Sequence, residues 1–251
     1  MGLFSAAPSE NARKIMQYLD CPCDYYPAGK SMDKIRSAYE EALAMSEMKG
    51  YTPVIVVADS VLAEWLEITM SDLAKGETPA AHRKKLLADM LPDAQKWFTE
   101  CLSEMKSNYG DYWEQITADS EGSGAKIDNL SGFRRFSDGK SEEVIIAKIP
   151  TDKPWEVFAW LPFGGWNECP KAETMLAVGK YWFEKYGAVP AVISHDVLEL
   201  AAQPVKDRSA AVGLALEQFA FCSDIIDQSG MTISSLASTL MLSTVWSFWW
   251  D

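Results

Sequence analysis

Histidine is nearly missing from this chain of 251 residues, which holds only two, His82 and His195. So few imidazoles leave little room for a His-rich metal centre, and no Ser/His/Asp set stands out. Positive charge is also short, with 23 Lys and Arg against 36 Asp and Glu and a formal net charge of −13. That balance excludes a nucleic-acid binder, because neutralising phosphates needs clustered Lys and Arg. Long apolar runs are absent: none approaches the ~18 residues that span a bilayer. The start, MGLFSAAPSENARK, lacks the basic then apolar pattern of a secretory signal, and Ala6 stands where N-myristoylation wants Ser or Thr. No membrane association is expected.

Cysteine is sparse and unpaired in pattern. Cys21, Cys23, Cys101, Cys169 and Cys222 are odd in number and irregular in spacing. The Cys-Pro-Cys triplet is shorter than the usual Cys-x-x-Cys arrangement. Reduced thiols in a cytoplasm fit this usage. Gly29-Lys30-Ser31 suggests a phosphate loop until the position five before Gly29 is read: it is Asp24, where such a loop needs glycine. Ser31 therefore reads as a helix cap. No motif asks for a cofactor, and no metal site is expected.

What remains is globular composition, 48% hydrophobic and 24% charged. SENARKIMQYL and SMDKIRSAYEEALAMSEMKG repeat apolar residues at helical spacing, with Ser9 and Ser31 as caps and Gly50 as a stop. YTPVIVVAD reads as a buried strand, and residues 83 to 117 read as helix interrupted at Pro92. Further on, EEVIIAKIP, WEVFAWLPF, AVPAVISHD and LELAAQP read as strands, with a helix at KAETMLAVGKYWFEKYG and another capped by Asp207. A last helix near 233–244 leads into VWSFWWD, read as a strand that plugs the core and leaves Asp251 outside. The expected organisation is a helix-rich α/β region over 1–118, a polar connector over 119–139 and a carboxyl-terminal α/β domain over 140–251.

The two halves share an order of features. Pro27 and Gly29, a helix, Gly50, Pro53 and a strand ending at Asp59 match Pro162 and Gly164, a helix, Gly187, Pro190 and a strand ending at Asp196. Each copy reads as a β-α-β unit. The expected fold is α/β or mixed α+β, with pseudo-duplicated β-α-β units and a partly parallel sheet flanked by helices.

The duplication sorts scaffold from function. Features in both copies shape the chain, whereas Gly165, Trp166, Asn167, Glu168 and Cys169, and His195 opposite Ala58, occur in the second copy alone. In a β-α-β unit the loop after one strand and the end of the next share a sheet edge, where ligands of open α/β sheets bind. This places Asn167, Glu168 and Cys169 near His195, Asp196 and Glu199. Cys169 with His195 suggests a nucleophile and base, with the following helix lowering the thiol pKa. Glu168 is a further catalytic candidate, and Glu168, His195 and Asp196 suggest divalent-cation binding. Trp166 and Asn167 offer a stacking face and an amide to a ligand. Each has a plainer alternative: an inert buried cysteine, neighbouring strand residues on opposite faces, and a packed Trp beside a turn-forming Asn.

IPTDKPWEVFAWLPFGGWNECP, YWFEKYGAVPAVISHDVLEL, LEQFAFCSDIIDQ and WSFWWD together resemble the bacterial family catalogued as domain of unknown function 4253, over roughly residues 145 to 251. No activity, cofactor or catalytic residue comes with that resemblance. It implies that Asn167, Glu168, Cys169, Asp196, Glu199, Phe221 and Cys222 belong to a family pattern. Two functions stay open. One is a non-catalytic, acidic interaction protein that binds a basic protein partner, as an immunity protein does. The other is a small-molecule-binding protein or enzyme using the Gly164–Cys169 loop with His195 and Asp196.

Overall fold

The computed structural model describes residues 7–73, 76–118 and 122–251. Ala6, on which the lipidation reading turned, and residues 119–121 of the connector lie outside them. In chain order the elements are α1 (Glu10–Leu19), β1 (Cys23–Tyr26), α2 (Met32–Lys49), β2 (Thr52–Val57), α3 (Ser60–Asp72), α4 (Pro79–Ala88), α5 (Ala94–Tyr109) and α6 (Asp111–Thr117). They continue as β3 (Val144–Ile149), α7 (Val157–Trp160), α8 (Ala172–Tyr186), β4 (Val189–Ile193), β5 (Val197–Ala201), α9 (Arg208–Phe221), α10 (Asp224–Asp227), α11 (Ile233–Leu242) and β6 (Val245–Trp249). The class is mixed α/β, with parallel and antiparallel strand pairs. None of the described helices is long and apolar enough to cross a membrane.

Two compact units form from interleaved segments. The first takes Met1–Asp89, Leu130–Phe163 and Pro190–His195; the second takes Met90–Asn129, Gly164–Val189 and Asp196–Asp251.

In the first unit β3 pairs antiparallel with both β1 and β2, so that Ala147 has Cys23 on one side and Val54 on the other. β2 also runs parallel to β4, with Ile55 opposite Val192 and Val56 opposite Ile193. A strand with neighbours on both edges and helices over it has no wet face, which explains why β2 is apolar rather than alternating and buried throughout. The one hydroxyl in it, Thr52 Oγ1, donates to the Thr151 carbonyl at 2.9 Å. α1 starts at Ser9, whose Oγ accepts the Ala12 N–H at 3.1 Å, and buries Ala12, Ile15, Tyr18 and Leu19 on one stripe. Asp59 accepts the Leu62 N–H at 2.7 Å and so opens α3, a helix that the sequence pattern did not disclose.

The glycines matched between the halves adopt matching backbone. Gly29 and Gly164 have φ of 86° and 96°, and Gly50 and Gly187 both have φ of 68°, a region closed to most other residues. WEVFAWLPF departs from expectation. It is a 3₁₀ turn, Pro154–Glu156, running into α7, and not a strand. Pro154 stands at the first helical position, where its missing N–H costs nothing. Val157, Phe158 and Ala159 are all buried, and a fully buried apolar run suits a short helix as well as a strand. The second half therefore lacks the first strand of a β-α-β unit, and the shared sheet-edge argument loses its premise there.

The second unit pairs β5 antiparallel with β6, Val197 opposite Trp249 and Ala201 opposite Val245. Its core is aromatic. Trp182 of α8 stacks on Phe248 at 5.5 Å between centroids and meets Trp246 edge-on at 5.7 Å, while Phe221 of α9 meets Phe248 edge-on at 5.1 Å. Each such ring is worth about 1.5–3 kcal/mol in apolar burial. Trp250 is buried and Asp251 exposed, as the aromatic end of the sequence suggested. The connector is packed where it is described. Ala125 and Ile127 N–H groups donate to Thr239 Oγ1 and Ser243 Oγ on and after α11, at 3.1 and 2.9 Å. A Cβ on Gly122 or Gly124 would lie 2.4 Å from α11 backbone, so glycine is what permits this contact.

Candidate functional site

The chain between α7 and α8 turns on three residues with positive φ: Gly164, Gly165 and Asn167, the last at 41°. The Cys169 N–H donates to the Trp166 carbonyl at 3.0 Å, and the Gly165 N–H donates to the Cys169 carbonyl at 2.9 Å. This tight double closure sets the side chains apart. Cys169 points into the protein, Trp166 is half-buried, and Asn167 and Glu168 stand at the surface. Asn167 thus serves as a turn former, its short polar side chain tolerating the left-handed backbone. A Cβ on Gly164 would fall 2.3 Å from the Pro170 carbonyl oxygen and 3.0 Å from Cys169 Sγ, so the turn and the thiol are packed as one piece.

Cys169 does not have the depressed pKa expected from the helix that follows. It precedes Lys171, the residue capping α8, and lies among apolar groups beside Cys222. Burial is the main cause that pushes its thiol well above the ordinary range, and the neighbouring Cys222 adds to it. Burial also raises Cys222, to about 12, and its S–H donates to the Trp249 carbonyl at 3.0 Å. Both thiols stay protonated at neutral pH.

His195 belongs to the first unit, where its Nδ1 is 3.2 Å from Asp59 Oδ1 and its backbone N–H reaches Asp59 Oδ2 at 3.3 Å. The carboxylate that caps α3 thus also holds the end of the β4 segment. Asp196 and Glu199 fall in the second unit. The Asp196 carbonyl accepts the Trp250 N–H at 3.1 Å. Glu199 lies in β5 opposite Ser247 and is buried, 1% exposed, so it is enclosed by the strand pair and its packing. Among the described residues, no group of three or more His, Cys, Asp or Glu is arranged to hold a metal ion.

Glu168 reaches a concave surface. Its Oε2 accepts the Ser223 Oγ–H at 2.8 Å, and its side chain borders a groove of about 280 Å³. One wall is α5, through Trp97, Cys101, Glu104, Met105, Asn108 and Tyr109; the other is Ala220, Phe221 and Ser223. The lining contains two carboxylates, three aromatic rings and no Lys or Arg. The Tyr109 hydroxyl donates to Asp227 at the end of α10. Burial is the main cause that raises the Asp227 carboxyl above its usual value, and the charges of Asp224 and Glu168 push the same way, while the Tyr109 bond opposes them. Burial likewise lifts the Tyr109 phenol, with the Asp227 bond second. The sequence reading missed the α5 wall and Asp227: Tyr109 and Asp227 are 118 residues apart, and no local pattern links them.

Residues 145–251 match the family described as Domain of unknown function (DUF4253). The DUF4253 match takes in Glu168, Phe221 and Ser223 of the groove and leaves the α5 wall outside. Neither a curated protein nor a solved structure matches the chain.

Proposed function

We propose that the protein is a non-catalytic interaction protein that binds a basic protein partner, and that the groove bordered by Glu168 receives a cationic side chain from it. The observation that carries this reading is the groove lining: Glu104 and Glu168 stand with Trp97, Tyr109 and Phe221, and no basic residue lines it. Carboxylates satisfy the donors of a guanidinium or ammonium group, and the faces of aromatic rings attract the same charge, by about 0.5–2 kcal/mol per ring. The net charge of −13 would steer a basic partner towards the protein. An immunity-type neutraliser of a basic toxin is one form of this function. Under this reading the protein works in a reducing cytoplasm and recruits neither nucleic acid nor membrane.

Enzyme action through the Gly164–Cys169 loop has less support, because a thiol kept protonated by burial is a poor nucleophile. The test uses N-acetyl-arginine amide as probe, followed by NMR at the Trp97 indole. We expect saturable shifts that weaken with salt and are lost in the Glu104→Gln/Glu168→Gln double variant. Equal shifts with the neutral probe N-acetyl-glutamine amide, or an unchanged response in the double variant, would rule the groove out.

A further inference from the structure

Cys21-Pro22-Cys23 occupies the short passage from α1 into β1, within the first unit. Asp20 ends α1 in the left-handed conformation with φ of 49°, and this turns the chain so that both cysteines are half-buried at one place. The Cys23 thiol folds back and donates to the Cys21 carbonyl oxygen, its Sγ at 3.3 Å, which brings it close enough to act on the Cys21 thiol. Residues two apart in a chain span at most about 7 Å, the upper end of what a disulfide bridges. A bent chain with both thiols on the same side satisfies that limit.

The surroundings favour an anion at one of the two sulfurs. Arg83 of α4 is 6% exposed, lies 3.6 Å over the Trp160 ring, and donates through Nη2 to the Tyr18 and Leu19 carbonyls at 3.0 and 3.4 Å. Its Nε has no hydrogen-bond partner. A buried guanidinium with an open donor needs negative charge nearby. The bond from Cys23 is the main cause that lowers the Cys21 thiol below its ordinary value; burial opposes it, and the Arg83 charge and the Lys148 N–H help. Cys23 is raised in turn, chiefly as the donor in that bond. One sulfur is thus set up as attacking thiolate and the other as a protonated neighbour within reach.

We propose that Cys21 and Cys23 are a redox-active dithiol that closes to a disulfide by exchange with a low-molecular-mass disulfide, Cys21 attacking and Cys23 resolving, beside the buried Arg83 guanidinium. The Cys21 thiolate attacks one sulfur of RS–SR, forming a Cys21–SR mixed disulfide and releasing RS⁻. The Cys23 thiol then gives up its proton and attacks the Cys21 sulfur, forming the Cys21–Cys23 bond and releasing a second RS⁻. The two protein thiols lose two electrons and two protons, and RS–SR becomes two RSH. A three-residue ring is strained, so the bond is readily reduced again, as a reversible cytoplasmic site requires.

The test treats the full-length reduced protein with glutathione disulfide, quenches with acid, alkylates and maps peptides by mass spectrometry. Wild type should yield the Cys21–Cys23 disulfide, and Cys23→Ser should stop at a glutathione adduct on Cys21. Cys101 is an internal control, since burial and then the Glu104 and Glu100 charges raise its thiol. Iodoacetamide should modify Cys21 of the reduced wild type at least about tenfold faster than Cys101 at pH 7, with a midpoint below the ordinary thiol range. Arg83→Gln should reduce that advantage; because Arg83 also holds two carbonyls, the pH profile of the wild type decides if the variant misfolds. A wild type that stops at mixed disulfides, an adduct that forms preferentially on Cys101, or equal alkylation of Cys21 and Cys101 overturns the proposal.

Discussion

Two pairs of cysteines in this protein meet opposite environments. Cys169 and Cys222 are both buried in the second unit, with both thiols raised by loss of water. Cys21 and Cys23 are half-buried in the first, where the bond from Cys23, and after it the Arg83 charge, lower the Cys21 thiol against burial. The lesson is that a thiol's chemistry is set by what surrounds it rather than by the motif that carries it. A helix start did not activate Cys169, because burial raises its thiol; a turn too short for a standard redox motif set Cys23 against Cys21, and Arg83 of α4 adds a positive charge.

Removing the aromatic cover should break this contrast most strongly. Phe221 packs on Trp182, Phe248 and Trp250 and immediately precedes Cys222. Phe221→Ala should cost about 3–5 kcal/mol in urea unfolding and open Cys222 to alkylation under native conditions. If Cys222 stays unreactive in a variant shown to be destabilised, burial is not what silences it. Next in size is Gly164→Ala, which forces a Cβ into left-handed backbone and against the Pro170 oxygen and Cys169 sulfur. A loss of about 1–3 kcal/mol is expected, read from the same unfolding curves. A neutral result would mean that the 164–170 turn relaxes independently of the thiol. The serine exchanges complete the series, with Cys23→Ser the smallest. Cys169→Ser puts a hydroxyl into an apolar site and should cost about 1–3 kcal/mol. Cys23→Ser keeps a donor for the Cys21 carbonyl and should stay within about 0.5 kcal/mol. Equal costs in thermal denaturation would remove the distinction between the pairs.

Legibility from sequence followed the range of the forces involved. The caps at Ser9, Ser31 and Asp207, the buried β2 run and the aromatic closing strand were readable, since each depends on a few neighbouring residues. WEVFAWLPF misled because full burial erases the alternation that separates strand from helix. Glu168 was named from its loop, but its Ser223 partner is 55 residues away and the α5 wall further still. Arg83 beside Cys21 was invisible for the same reason.

By itself, then, the sequence determined the mixed α/β class, most of the helices and strands, the family matched by residues 145–251, and the excess of acidic over basic residues. Those properties come from local backbone preference, periodic burial and summed charge. Tertiary structure alone decided which carboxylates border a groove, that His195 pairs with Asp59, and which thiols are pushed up and which down. Desolvation and Coulomb terms act through space over a few ångströms, and chain distance says almost nothing about which groups come that close.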